Sequence, residues 1–318
     1  MTDSNCIALL FPGQGSQSVG MGKDLFEKYP LARQTFEEAN EALGYKLSQV
    51  CFEGPEDQLR LTEITQPAIL TVSIAALRVL ETRIPKPMYV AGHSLGEYSA
   101  HVASGTITFA DAVRTVRSRG KYMQEAVPVG VGTMAAILGM PPDQVDAVCR
   151  DAAQGEVCAP ANINSSEQIV ISGNTAAVER ATKLAEERGA KKAKLLPVSA
   201  PFHCSLMRPA QDRLEADLNQ LKMDKPTYPV ACNVDADLVT DDLRARDTLV
   251  RQVTGSVKWE QCVQLLIGKG AQTFIEVGPG KVLWGLMRQI DRSKTSLNVS
   301  DDATLLKTLD ALAKSAVQ

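Results

Sequence analysis

A chain of 318 residues, 44% hydrophobic and 22% charged with only 5% aromatic side chains, can bury a full core as one large domain or two ordinary ones. Its net charge of −3 hides no strong asymmetry, which argues against nucleic acid as a partner. The seven cysteines, scattered from Cys6 to Cys262 with no C-x-x-C pair, fit neither a disulfide framework nor a metal site; they read as buried, reduced thiols.

At the amino end, acidic Asp3 stands where a secretory signal would carry positive charge, and the apolar run from Ile7 stops at Pro12-Gly13. Neither a signal peptide nor a membrane span is expected, and the cytoplasm is the expected compartment. A strand is predicted over Cys6–Phe11, ending in the loop Pro12-Gly13-Gln14-Gly15-Ser16-Gln17. Helical patterns follow, the longest from Gln66 to Glu81 with Pro67 near its start, where a missing N–H does least harm. Pro85 and Pro87 break the chain before a second strand, Met88 to Ala91. Helices then begin near Leu95 and at Phe109, the latter reaching Ala126.

From about residue 131 the pattern changes. Strand patterns at Thr133–Leu138, Glu156–Ala161, Gln168–Ser172 and Ala193–Val198, with helical patterns at Pro142–Asp151 and Thr175–Arg188, give the order β-α-β-β-α-β of a ferredoxin-like unit. After Pro201 the alternation of helices and strands resumes, with Phe274–Val277 a clear buried strand followed by Gly278-Pro279-Gly280 and a helix through Ile290. The predicted class is α/β: a large body with a mostly parallel sheet, residues 1–129 and 199–318, and an inserted ferredoxin-like subdomain, residues 130–198. The cleft between them is the expected substrate site.

Gly92-His93-Ser94-Leu95-Gly96 fits the G-x-S-x-G nucleophile elbow and lies where the elbow belongs, after a strand and opening a helix. A chain of ordinary composition yields on the order of 0.1 such motifs by accident. A serine nucleophile needs a base, and the chain has three histidines. On a tight elbow His93 points away from the hydroxyl, and His101, seven residues on along the same helix, is about two turns distant. By elimination the base is His203, in Ser199-Ala200-Pro201-Phe202-His203-Cys204. No carboxylate stands out as a third triad member; Asp235 and Asp237 read as solvated turn residues. Gly13-Gln14-Gly15 fails as a dinucleotide loop because Ser18 occupies the third glycine position, and it reads better as a strand-end loop lending an N–H to an oxyanion hole. On the helix from Phe109, Arg117 and Arg119 flank the apolar stripe, and periodicity does not choose which of them reaches a cleft.

Motifs along nearly the whole chain carry a resemblance. Phe11-Pro12-Gly13-Gln14-Gly15-Ser16-Gln17, Thr65-Gln66-Pro67-Ala68, the elbow with Glu97-Tyr98, Arg119-Gly120 with Met123-Gln124, Pro201-Phe202-His203-Cys204 and Glu276-Val277-Gly278-Pro279-Gly280 occur in order. Together they resemble the malonyl-CoA:acyl carrier protein transacylases of bacterial fatty acid synthesis, and imply an α/β-hydrolase-like body. The resemblance makes Ser94 the acylated nucleophile and His203 the general base. It matches Arg119, not Arg117, to the arginine that grips the malonyl carboxylate. It matches Gln14 and Leu95 to the oxyanion N–H groups, and Gln252 to the residue whose main-chain carbonyl orients the histidine. Asn162, His93 and Phe202 are expected to line the substrate site, Phe202 narrowing the space beside the α-carbon in favour of malonyl over methylmalonyl. No metal or cofactor is expected, malonyl-CoA and holo acyl carrier protein being substrates, and the chain is expected to act as a monomer away from membranes.

Two departures from that family's pattern are visible: His101 stands where an apolar residue is usual, and Ser256 replaces a proline before Val257-Lys258-Trp259. The stretch Arg188-Gly189-Ala190-Lys191-Lys192-Ala193-Lys194 reads first as a strand edge protected by lysines and second as a dock for an acidic carrier protein. The rival functions are a serine esterase or thioesterase, and a non-catalytic module that docks carrier proteins.

Overall fold

The computed structural model describes residues 6–198 and 200–315, so Asp3 and Ser199 lie outside the described residues. In chain order its strands are β1 (Ile7–Phe11), β2 (Tyr89–Gly92), β3 (Gly132–Leu138), β4 (Cys158–Ser165), β5 (Gln168–Asn174), β6 (Lys192–Leu195), β7 (Val230–Cys232), β8 (Asp237–Val239), β9 (Thr273–Val277) and β10 (Thr295–Val299). They form two sheets, one ordered β10-β9-β1-β2-β7-β8 and the other β4-β5-β3-β6. In the first, every pair is parallel except β7 with β8; in the second, every pair is antiparallel. The architecture is therefore mixed α/β with a mostly parallel main sheet.

β1 is buried along its whole length, as a central parallel strand covered on both faces must be. Ile7, Leu9 and Phe11 face one core with the Thr62–Leu80 helix, while Ala8 and Leu10 face a second with Trp259 and Leu283. The small sheet divides in the same period of two. Ala135, Ile137, Ile169 and Ile171 pack under the Pro142–Ala153 and Thr175–Glu187 helices, whereas Met134 and Val170 turn into the larger core.

Two elements differ from expectation. The long helix begins at Thr62, so Pro67 lies inside it rather than near its start and offers no N–H to the Glu63 carbonyl. Leu61 precedes it without a side-chain cap, which left the true start unmarked in the sequence. This helix is long and apolar enough to cross a membrane, yet 89% of it is buried in the protein, as a core helix would be. β4 runs on to Ser165 instead of ending at Ala161, through register shifts at Pro160/Asn162 and Ile163/Ser165. Proline and asparagine are poor strand formers, and bulges keep them in the ladder beside a functional cleft.

His101 is fully buried in the Gly96–Ala103 helix, and among the described residues neither ring nitrogen has a hydrogen-bond partner. Burial pushes its pKa from 6.5 down to about 3. Between those values the unfolded chain binds a proton that the folded chain refuses, so this residue erodes stability as pH falls below 6.5. His101→Leu is expected to stabilise the fold by about 1–3 kcal/mol at neutral pH, the cost of unsatisfied buried polar groups, and by more at mildly acidic pH. Urea unfolding at both pH values checks this; a variant no more stable at either would refute it.

Candidate active site

The site is built at the carboxyl ends of the parallel strands, the end of an α/β sheet where ligand crevices form. β1 leads to Gln14, β2 to Ser94 and β7 to Asn233. Ser94 has φ 52°, the left-handed strain of a nucleophile elbow. The flanking glycines are required by contact: a Cβ on Gly92 would meet the Gly96 carbonyl at 1.9 Å, and one on Gly96 would meet the Phe11 oxygen at 2.1 Å. Asn233 clamps the turn, its Oδ1 accepting from the Ser94 N–H at 2.7 Å while its Nδ2 donates to the Gly92 carbonyl at 2.8 Å.

Ser94 Oγ lies 2.7 Å from His203 Nε2. His203 Nδ1 is 2.9 Å from the main-chain oxygen of Gln252, and because a carbonyl only accepts, Nδ1 must carry the proton. Nε2 is then the free acceptor facing the serine. Gln252 closes the Asp242–Arg251 helix, where carbonyls lose their helical partners, and that is why its oxygen is available. Asp235 and Asp237 are not involved; they pair with Arg251 and Arg244 at the surface.

Arg119 is only 1% exposed. Its Nη1 donates to Gln66 Oε1 at 2.8 Å, and its Nη2 to Gln252 Oε1 at 2.9 Å and to Ser94 Oγ at 3.2 Å. Its Nε has no partner. Arg117, on the other edge of the helix, lies over the Tyr45 ring instead. Ser94, His203, Arg119, Gln14, Leu95, His93, Asn162 and Phe202 all line one cavity of about 570 Å³, roomy enough for a small acyl group and the arm that delivers it. Gln252 stands behind its wall.

The chain as a whole has counterparts. The acyl transferase domain family matches residues 8–309. The malonyl CoA-acyl carrier protein transacylase of Escherichia coli is 47% identical over 304 residues, covering 95% of this chain and 98% of that protein. The chain belongs to this acyl transferase family. The Bacillus subtilis transacylase is also 47% identical, over 96% of this chain and 97% of its own length. An acyl carrier protein S-malonyltransferase from Vibrio cholerae superposes with a TM-score of 0.94 at 46% identity, covering 96% of this chain and 100% of that one. A malonyl-transacylase solved with its type II PKS acyl-carrier protein gives 0.94 at 43% identity, over 96% and 99% of the two chains.

In this acyl transferase the electrostatics follow from burial. Burial, and then the Arg119 charge, push the His203 pKa down to about 3, opposed by the Gln252 carbonyl. Burial also lowers His93, whose Nε2 lies 2.8 Å from Asn164 Oδ1. Glu97 is pushed up to about 7 by burial, against hydrogen bonds from the Asn233 N–H at 3.0 Å and Gln252 Nε2 at 2.8 Å.

Sequence reasoning missed Asn164, Asn233 and the part played by Glu97. Asn164 lies two residues beyond Asn162 on the same strand, and both line the cavity. Ser256, the second departure, donates to the Pro160 carbonyl at 2.6 Å, and the next residue, Val257, bridges to Asn162. The serine thereby pins the loop after Gln252 to β4. The basic stretch lies on β6, an edge strand, with Arg188 paired to Asp151, Lys191 to Glu167, and Lys192 and Lys194 exposed, as lysine protection of an edge would have it.

Proposed function

We propose that this chain transfers the malonyl group of malonyl-CoA to the phosphopantetheine thiol of acyl carrier protein, in support of fatty acid synthesis, through a malonyl-serine on Ser94. One observation carries the reading: a serine 2.7 Å from its base also lies 3.2 Å from a buried arginine in the same cavity. A hydrolase of neutral esters has no use for a buried cation there, whereas an acyl group ending in carboxylate does. The names of its relatives and the carrier-protein complex of one of them point the same way.

The reaction is ping-pong. His203 Nε2 takes the Ser94 proton as Oγ attacks the thioester carbonyl, and the main-chain N–H groups of Gln14 and Leu95 hold the oxyanion. The C–S bond breaks and coenzyme A leaves with the proton returned by His203. The carrier thiol then gives its proton to His203, attacks the ester, and restores the serine hydroxyl. Arg119, which lines the cavity, holds the free carboxylate through both halves with its guanidinium N–H groups. Phe202 beside the base narrows the pocket against methylmalonyl, a discrimination of about 1–3 kcal/mol per methyl group. No step calls on a metal or cofactor.

The α/β-hydrolase-like and ferredoxin-like assignments, with a boundary near residues 130 and 198, belong to the same reading. The strand order β4-β5-β3-β6, all antiparallel, supports the second of them. Cytoplasmic location is consistent with the free, buried thiols of Cys51, Cys204, Cys232 and Cys262.

The test is to mix the protein with malonyl-CoA alone and weigh the Ser94 peptide. A malonyl adduct that persists in water and is discharged by holo carrier protein is expected. No adduct, or one that water removes within seconds, would favour a hydrolase or an inert relative.

A further inference from the structure

The grip of Arg119 depends on which way one amide points. Gln252 Oε1 accepts from Arg119, while Gln252 Nε2 donates to Glu97 Oε2 at 2.8 Å and to the Ser94 carbonyl at 3.0 Å. Turned over, the same amide would aim its NH₂ at the guanidinium, donor against donor. Glu97 is fully buried in the first turn of the helix after the elbow and does not line the cavity, so it cannot touch substrate. Its Oε2 also holds the main-chain N–H of Asn233, whose side chain clamps the Ser94 backbone.

We infer that Glu97 is a positioning residue for acyl selectivity: its carboxyl oxygen sets the orientation of the Gln252 amide, which in turn holds Arg119 where the acyl carboxylate binds. The Ser94 carbonyl at 3.0 Å and Asn233 Oδ1 at 3.4 Å are further acceptors for that amide, both at longer contacts. Glu97 supplies the shorter bond and fixes Asn233 with the same atom, so it ties the elbow and the arginine into one unit. The inference rests on the carboxylate-binding role proposed for Arg119.

The measurement is the ratio of kcat/KM for malonyl-CoA to that for acetyl-CoA, which lacks the carboxylate, with thermal unfolding to confirm each fold. Glu97→Met, of similar length without an acceptor, is expected to lower the ratio by about tenfold or more, the weight of one misaligned hydrogen bond to a charged group. Glu97→Gln keeps an oxygen acceptor and is expected to recover most of it. Gln252→Met keeps the main-chain carbonyl for His203 but drops the amide, and should fall like Glu97→Met; it reads the same link should Glu97→Met fail to fold. Arg119→Ala is the reference. An unchanged ratio there means the carboxylate reading itself is wrong. A ratio that falls in Arg119→Ala but holds in either folded methionine variant overturns the role of Glu97 alone.

Discussion

Ser94→Ala is expected to abolish acyl transfer, with a loss of about 10⁶-fold in kcat if the serine and its base act as one unit. No thiol is placed to stand in. Cys204 adjoins the base, but its thiol is buried, donates to the Pro201 carbonyl and is made less acidic by burial. Among the described residues no cysteine, Cys204 included, lines the cavity. Alanine adopts the backbone of Ser94 at φ 52° about as well as serine does, so the elbow and its Asn233 clamp should survive. The variant should therefore unfold at nearly the parent temperature while gaining no mass from malonyl-CoA. A malonyl adduct that still forms, on any residue that carrier protein can discharge, would remove Ser94 from the mechanism.

The elbow was legible because its requirements are local: two glycines at fixed offsets, a strand before and a helix after. The pairing of His203 with Ser94 was legible because only three histidines compete. Arg119 was not separable from Arg117 by pattern, since both edges of an apolar stripe look alike until something packs on them. In the fold one edge meets Gln66, Gln252 and Ser94, and the other meets a tyrosine ring. Asn233 was hidden for a different reason. It follows β7, only three residues long, and reaches the elbow through the parallel register that sets Ala231 beside Ala91. Nothing in a single sequence encodes that pairing. Glu97 stood in plain view in the motif, but an acid in the first turn of a helix is ordinary there, and only its burial sets it apart.

His203→Ala should cost nearly as much, about 10⁶-fold in acylation of Ser94, because the serine and its base act as one unit. The pH dependence of the parent enzyme is the sharper test. A histidine left at its ordinary pKa of 6.5 would be about thirty-fold less available as a base at pH 5 than at neutral pH. Here burial and the neighbouring Arg119 charge both disfavour the imidazolium, and the Gln252 carbonyl only partly offsets them, leaving a pKa of about 3. The sign is that a lowered pKa keeps the base neutral, and therefore active, through the whole mildly acidic range. Single-turnover acylation by malonyl-CoA is expected to be flat in kcat/KM from pH 8 down to about pH 5. An acid limb centred near pH 6.5 that persists in Glu97→Gln, and so does not come from the carboxyl with a pKa of about 7, would mean that His203 is solvated before substrate binds, and that the buried pairing of base, carbonyl and arginine described above does not hold in the free enzyme.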